Sequence, residues 1–286
     1  MTWALVADII IDSLRDSISL FPFLLVTYIV LEYMEQKSEG KSLDLISRAG
    51  RLGPVFGAIS GIVPQCGFAA AAANFYAAKA ISIGTLIAVF LATSDEMLPV
   101  MISNAIKPII IVRILGIKLL LGIAIGIFCD VVLHQKTQSV NVEPLCEDAD
   151  CHCAGEGILK PALFHSIKIT FFVLLVTLGL NAIMMIWGER YLGEMVLNRP
   201  IIGVLASGLL GLVPNCSASV VITQLWVGGA MSFGAMMAGL LSGAGAGLLV
   251  LFKINKNKKE NFKIVAILYS VAVVIGIIIN ILQISL

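Results

Sequence analysis

Charge is scarce in this chain, and that scarcity settles its class before any motif does. Only 13% of the 286 residues are charged, against 59% hydrophobic, and the mean hydropathy is +1.00. That is far too apolar for a soluble domain of this size. The formal net charge is +1, and no basic run is interleaved with aromatics, so nothing in the chain points to nucleic acid as a partner. There is no GxxxxGK[ST] phosphate loop, so active pumping would need another subunit or an ion gradient. No quinone- or haem-binding constellation is present either. A continuous hydrophobic leader is missing as well, because Asp8, Asp12, Arg15 and Asp16 break the first apolar run; no cleaved signal peptide is expected.

Long apolar stretches take the place of charge. They cover residues 17–31, 80–94, 108–133, 169–188, 200–252 and 264–286. A helix needs roughly 20 such residues to cross a bilayer core. The expectation is an all-α polytopic protein of the inner (plasma) membrane, with about 8–10 membrane segments and the lipid bilayer as its main partner.

Sliding the sequence against itself by 150 positions places Gly61-Ile62-Val63-Pro64-Gln65-Cys66 on Gly211-Leu212-Val213-Pro214-Asn215-Cys216. The same offset puts Phe21, Leu24, Leu25, Val26 and Thr27 on Phe171, Leu174, Leu175, Val176 and Thr177. Gly53 meets Gly203, Ser82 meets Ser232, Gly84 meets Gly234 and Gly126 meets Gly276. Apolar matches arise by chance in any membrane chain, but the Pro-amide-Cys triplet does not. The chain therefore divides into a first membrane repeat (1–132), a polar linker (133–160) and a second membrane repeat (161–286). Each repeat reads as a first helix (17–35; 165–187), a Pro-broken segment (50–79; 199–229) and two further helices (81–101 and 106–132; 231–252 and 261–285).

The broken segments have arms of roughly 12–14 residues, about 20 Å each, short of the ~30 Å hydrocarbon core. Each is expected to be a re-entrant hairpin or two short helices. Loop charge indicates the relation between the repeats. The first loop of half one carries Lys37, Lys41, Arg48 and Arg51, and its counterpart only Arg190 and Arg199. The later loop reverses this, with Lys107 and Arg113 against Lys253, Lys256, Lys258, Lys259 and Lys263. A positive bias that swaps between halves favours inverted repeats over parallel ones.

Proline removes a donor and frees main-chain groups at the break. Pro64, Gln65, Cys66 and Gly67, with Pro214, Asn215, Cys216, Ser217 and Ser219, are thus the candidate substrate-binding residues, expected as non-helical centres over 64–67 and 214–217 that face each other near the midplane. Helices starting just past each break would aim positive dipole ends at the same volume. The bland alternative is a packing kink with cysteines as small buried hydrophobes. Asp95 and Glu96, in or at the end of an apolar helix, are further substrate-binding candidates for a cation site or proton relay. Their repeat partners are Gly245 and Ala246, so this feature breaks the symmetry. Lys79 and Lys168 read as snorkelling residues at helix ends.

The linker holds Cys146, Cys151, His152 and Cys153 among Glu143, Glu147, Asp148, Asp150 and Glu156. Thiolates and imidazole suit a soft or divalent metal ion, the one cofactor the sequence suggests. Three linker cysteines, an odd number, argue against a disulfide framework. Placing residues 37–51 inside and counting an odd number of crossings puts the linker in the cytoplasm with its thiols reduced. Cys129 reads as inert packing.

The paired GxxPxC centres, the Ser94-Asp95-Glu96-Met97-Leu98-Pro99 run and the Cys/His-rich acidic linker resemble a bacterial and archaeal integral-membrane family of ten-span heavy-metal exporters. Its members are labelled manganese transporters or arsenic efflux proteins, and the resemblance covers nearly the whole chain. Pro-x-Cys permeases linked to organoarsenical efflux are similar at the broken helices only. The resemblance implies a secondary transporter with five short spans per half, no enzymatic activity and a small inorganic ion or metalloid as substrate. A homo-oligomer is compatible with it. Two other classes stay open from the residues alone: a passive channel or uptake carrier for a small anion, and a membrane thiol redox enzyme using Cys66 and Cys216.

Overall fold

A computed structural model describes residues 52–63, 66–94, 97–133 and 200–283, with residues 10–29 and 159–178 in part. The described residues are helical and contain no strand. Half one contributes α1 (Gly53–Ile62), α2 (Cys66–Ala77), α3 (Ile83–Ala92), α4 (Met97–Ser103) and α5 (Pro108–Leu133). Half two contributes α6 (Pro200–Gly211), α7 (Cys216–Val227), α8 (Phe233–Ser242), α9 (Ala246–Ile254) and α10 (Lys258–Ile281). The first helix expected in each half lies largely outside the described residues.

The 150-residue offset survives down to single backbone bonds. Proline at 64 or 214 cannot donate to the carbonyl four residues earlier. In each half the residue before the proline takes that carbonyl instead: Val63 N–H donates to Ser60 O at 3.3 Å, and Val213 N–H to Leu210 O at 3.0 Å. Helices α2 and α7 then close with the same left-handed turn. Lys79 (φ 57°) and Gly229 (φ 72°) occupy equivalent positions, and Ala80 N–H and Ala230 N–H reach back to Phe75 O (2.8 Å) and Leu225 O (2.9 Å). Ser82 and Ser232 next cap α3 and α8 by accepting from Thr85 N–H and Ala235 N–H.

Two segments differ from the expected single helices over 81–101 and 231–252. The first leaves the helix at Thr93 and Ser94 after α3, the second at 243–245 between α8 and α9. Thr93 and Gly243 leave the helix with ψ of 127° and 108°, and Gly245 adopts φ 49°, ψ −140°, which only glycine tolerates. Each half therefore has two broken segments where the sequence indicated one. The non-helical stretch at the prolines is also shorter than expected, because the helix resumes at Cys66 and Cys216 themselves.

Packing sorts the helices by depth. Every residue of α3 and α8 is buried, whereas α5 and α10 expose Val112, Leu120, Phe128, Phe262 and Ile278 on an apolar outer face fit for lipid. Without a hydrophobic drive between helices in lipid, close backbone approach has to supply the attraction. Gly84 lies against the Gly126 carbonyl where α3 crosses α5, and Gly234 against the Gly276 carbonyl where α8 crosses α10. Within each half α1, α3 and α5 (or α6, α8 and α10) form a bundle. The remaining helices exchange: α2 of half one packs on α9, and α7 of half two packs on α4. Reciprocal exchange of this kind is what two-fold-related repeats produce.

Candidate functional site

Four helix interruptions meet around the contact between the halves. In half one, Ser94 Oγ donates to Ile62 O at 2.6 Å, joining the gap after α3 to the end of α1 just before Pro64. In half two, Ser242 Oγ donates to Gly208 O at 2.8 Å and to Gly239 O at 3.1 Å, which fastens the end of α8 to α6. Gly61 fits against the Val89 carbonyl and Ala92, and Gly211 against the Gly239 carbonyl and Ser242, so a side chain at either glycine would push the two breaks of its half apart. Gly247, in the first turn of α9, sits against Ala69 of α2 and Phe90 of α3.

Lys118 ties the halves together. It lies near the middle of α5, is fully buried, and donates through Nζ to Thr93 O and to Leu240 O, the latter at 3.0 Å. Thr93 is the C-cap of α3, and Leu240 carries one of the last four carbonyls of α8, which an α-helix leaves without an internal donor. One ammonium thus caps the C-terminal ends of two equivalent helices, one per half, where the helix dipoles are negative. Its counterpart in the repeat is Leu268, also fully buried. Motif spacing does not single out Lys118, although a cation near the centre of a 26-residue apolar helix, five residues beyond Arg113, is visible by counting alone.

The sequence-derived residues fall around this centre as follows. Cys66 and Cys216 are the first residues of α2 and α7, so both helices present N-termini directly after the proline breaks. Gly67 is buried in the first turn of α2. Pro214 is half-buried in the gap, and Asn215 is buried at the position preceding α7, where asparagine is a favoured cap. Ser217 lies in the first turn of α7, and half-buried Ser219 gives its carbonyl to Thr223 Oγ1 at 2.7 Å. Pro64, Gln65, Asp95 and Glu96 lie outside the described residues, as do linker residues Cys146, Cys151, His152 and Cys153. A continuous run of contacts, from Ile62 through Ser94, Thr93, Lys118 and Leu240 to the end of α8 and α6, connects the two proline-containing gaps.

Two other polar groups were not singled out from sequence. Asn74 is fully buried in α2; its Oδ1 accepts from Tyr28 Oη at 3.2 Å, while its Nδ2 has no partner among the described residues. Asp130 accepts from Ser82 Oγ (2.7 Å) and Gly84 N–H (2.8 Å), fixing the start of α3. Its counterpart Asn280 holds its side-chain oxygen beside Gly234. Among the described residues no group of three or more His, Cys, Asp or Glu side chains could hold a metal ion. A cleft of about 580 Å³ between α5 and α10 is lined by apolar side chains such as Ile125, Ile267 and Ile275, with buried Cys129 and with Lys263; it shares no residue with the interruptions.

Comparison with known proteins adds a family. A family model described as "Putative, 10TM heavy-metal exporter" matches residues 5–185 and 165–285. No curated protein and no solved structure matches the chain. With its apolar helices, this makes the molecule a multi-pass protein of the plasma membrane and a membrane transporter for metals by family.

Proposed function

Because this chain belongs to the family of 10TM heavy-metal exporters, we propose that it is a secondary transporter that expels a heavy-metal or metalloid species, of manganese or arsenic type, through a site between its two halves. The convergence of four helix interruptions at the half–half contact supports this reading. Interrupted helices offer main-chain groups at membrane depth, and such backbone is tolerated only where protein or a water-filled cavity covers it. The substrate meets the α2 and α7 N-termini with Gln65, Cys66, Asn215 and Cys216, whose amides and thiols suit a soft ion or a trivalent arsenic centre. Pro64, Gly67, Pro214, Ser217 and Ser219 shape the same gaps, and Asp95 and Glu96 follow Thr93 by two and three residues.

The repeats are read as inverted. Phe90 lies against Gly247, and Lys118 bridges Thr93, three residues later, to Leu240, seven residues earlier, which supports equivalent segments running in opposite senses. The cytoplasmic linker gathers the ion ahead of transport through Cys146, Cys151, His152 and Cys153. Thiolate ligation requires deprotonation, so linker binding weakens as pH falls. No step in this scheme makes or breaks a covalent bond in the substrate, so the chain acts as a carrier rather than an enzyme.

Flux of Mn(II) and of arsenite in vesicles, with and without a proton gradient, tests the reading. Wild type moves at least one of them in a gradient-dependent way, and Cys66→Ser and Gln65→Ala reduce that flux at least about tenfold at unchanged expression. Gradient-independent flux of an inorganic anion instead would favour the channel reading. Normal flux in both variants would remove the interruptions from the substrate path.

A further inference from the structure

The C-terminal ends of α3 and α8 meet at Lys118, and their chemistry is that of a cation site. Both helices are ten residues long, both end inside the protein, and both stop at an interruption that leaves carbonyls without helical donors. Backbone carbonyls at the negative ends of broken helices are what membrane carriers use to hold a monovalent ion. α1, α3 and α8 contain no ionisable side chain. Asp95 and Glu96, the acids nearest in sequence, lie outside the described residues.

We propose that the joined ends of α3 and α8 form a small-monovalent-cation site between the halves, which Lys118 fills with its own ammonium group. The Nζ group bonds to Thr93 O and Leu240 O from two different repeats, which is the coordination a free ammonium or alkali ion would seek. The α5 stem supplies the ion already tethered, at an effective concentration no cytoplasmic salt could match. A carrier built this way needs no free sodium or potassium to keep its halves joined. Leu268 shows that the repeat scaffold does not demand lysine at this position for packing.

The test removes the tether and offers the ion free. Purified wild type and Lys118→Ala are melted in one detergent in choline chloride, then in equimolar ammonium, methylammonium, sodium or potassium chloride. Wild type melts at one temperature throughout. Lys118→Ala melts lower in choline and recovers by about 3 °C or more in ammonium or methylammonium, which fit the vacated ammonium position. Lys118→Arg keeps the charge and stays indifferent to the salt. Lys118→Gln replaces the alanine variant if alanine yields no folded protein. A single melting temperature in all five salts, for whichever of the two folds, overturns the proposal; so does an equal response in Lys118→Arg, which would mark the effect as nonspecific.

The use of the site in transport rests on the exporter reading, and the two fail separately. A wild type that carries neither Mn(II) nor arsenite, beside a cation-responsive Lys118→Ala, rejects the exporter and keeps the site. Flux without any cation response does the reverse.

Discussion

At the scale of single residues, each half supplies a control for the other. Asp130 holds Ser82 and Gly84 in half one, and Asn280 sits beside Gly234 in half two. Asp130→Asn should therefore change stability by less than about 1 kcal/mol, because an amide oxygen can still accept from Gly84. Asp130→Ala abandons both donors and should cost about 2–4 kcal/mol. A denaturation midpoint measured in one detergent for both variants checks the contrast, and equal losses would show that charge rather than acceptance holds the turn. The left-handed turns allow a second comparison. Lys79 carries a side chain at φ 57° where Gly229 carries none at φ 72°. Lys79→Gly should stabilise by about 0.5–1 kcal/mol and Gly229→Ala should destabilise by about 1 kcal/mol. Thermal melts read both, and a Lys79→Gly protein that melts lower would mean the lysine side chain outweighs its backbone strain. The matched glycines were legible from sequence. Lys118 is hidden from a hydropathy reading, which averages it and Arg113 away among the other 24 residues of α5.

At the scale of elements, the sequence announced one interruption per half and concealed the other. Proline breaks a helix by a local steric rule, so Pro64 and Pro214 could be read directly. Neither residues 93–96 nor residues 243–245 include a proline. Tertiary bonds cluster there: Lys118 takes the carbonyls of Thr93 and Leu240, while Ser94 and Ser242 donate to the Ile62 and Gly208 carbonyls of α1 and α6. Nothing within the segments themselves specifies those partners. Gly245, with φ 49° and ψ −140°, is the sharpest local feature of the second gap. Gly245→Ala should lower the melting temperature by about 2–8 °C, since a side chain in that conformation costs about 1–3 kcal/mol. Gly247→Ala should be comparably harmful for a different reason, because its Cβ would enter the contact with Ala69 and Phe90. Flux and melting measured together separate lost fold from lost site: a Gly245→Ala protein with normal stability and normal flux would show that the gap tolerates rearrangement.

At the scale of the whole molecule, the two halves are interlocked rather than adjacent. α2 belongs to half one in sequence and packs on α9 of half two, while α7 makes the reciprocal choice with α4. The linker is therefore not what holds the halves together. Chains 1–140 and 155–286 expressed together should assemble and co-purify, whereas either alone leaves α2 or α7 without its partner and should be degraded. Recovery of a folded lone half would contradict the interlocked packing. Labelling of Cys151 and Cys153 by an impermeant maleimide should occur in inside-out vesicles and fail in intact cells; labelling from outside would reverse the sidedness read from loop charge.

The pairing of Lys118 with Leu268 has a consequence for how such a molecule could have arisen. Two separate copies of one ancestral half, related by a two-fold axis, would have to carry the same residue at both positions. Two lysines would bury two ammonium groups between the halves, one for Thr93 O and Leu240 O and one for their repeat counterparts at Gly243 and Phe90, and like charges in a low-dielectric interior repel. Two leucines would leave the carbonyls bare. Joining the copies in one gene lifts that constraint, since each position can then drift alone until one is cationic and the other aliphatic. A lysine on one side only is thus a feature that a fused chain can hold and a homodimer cannot.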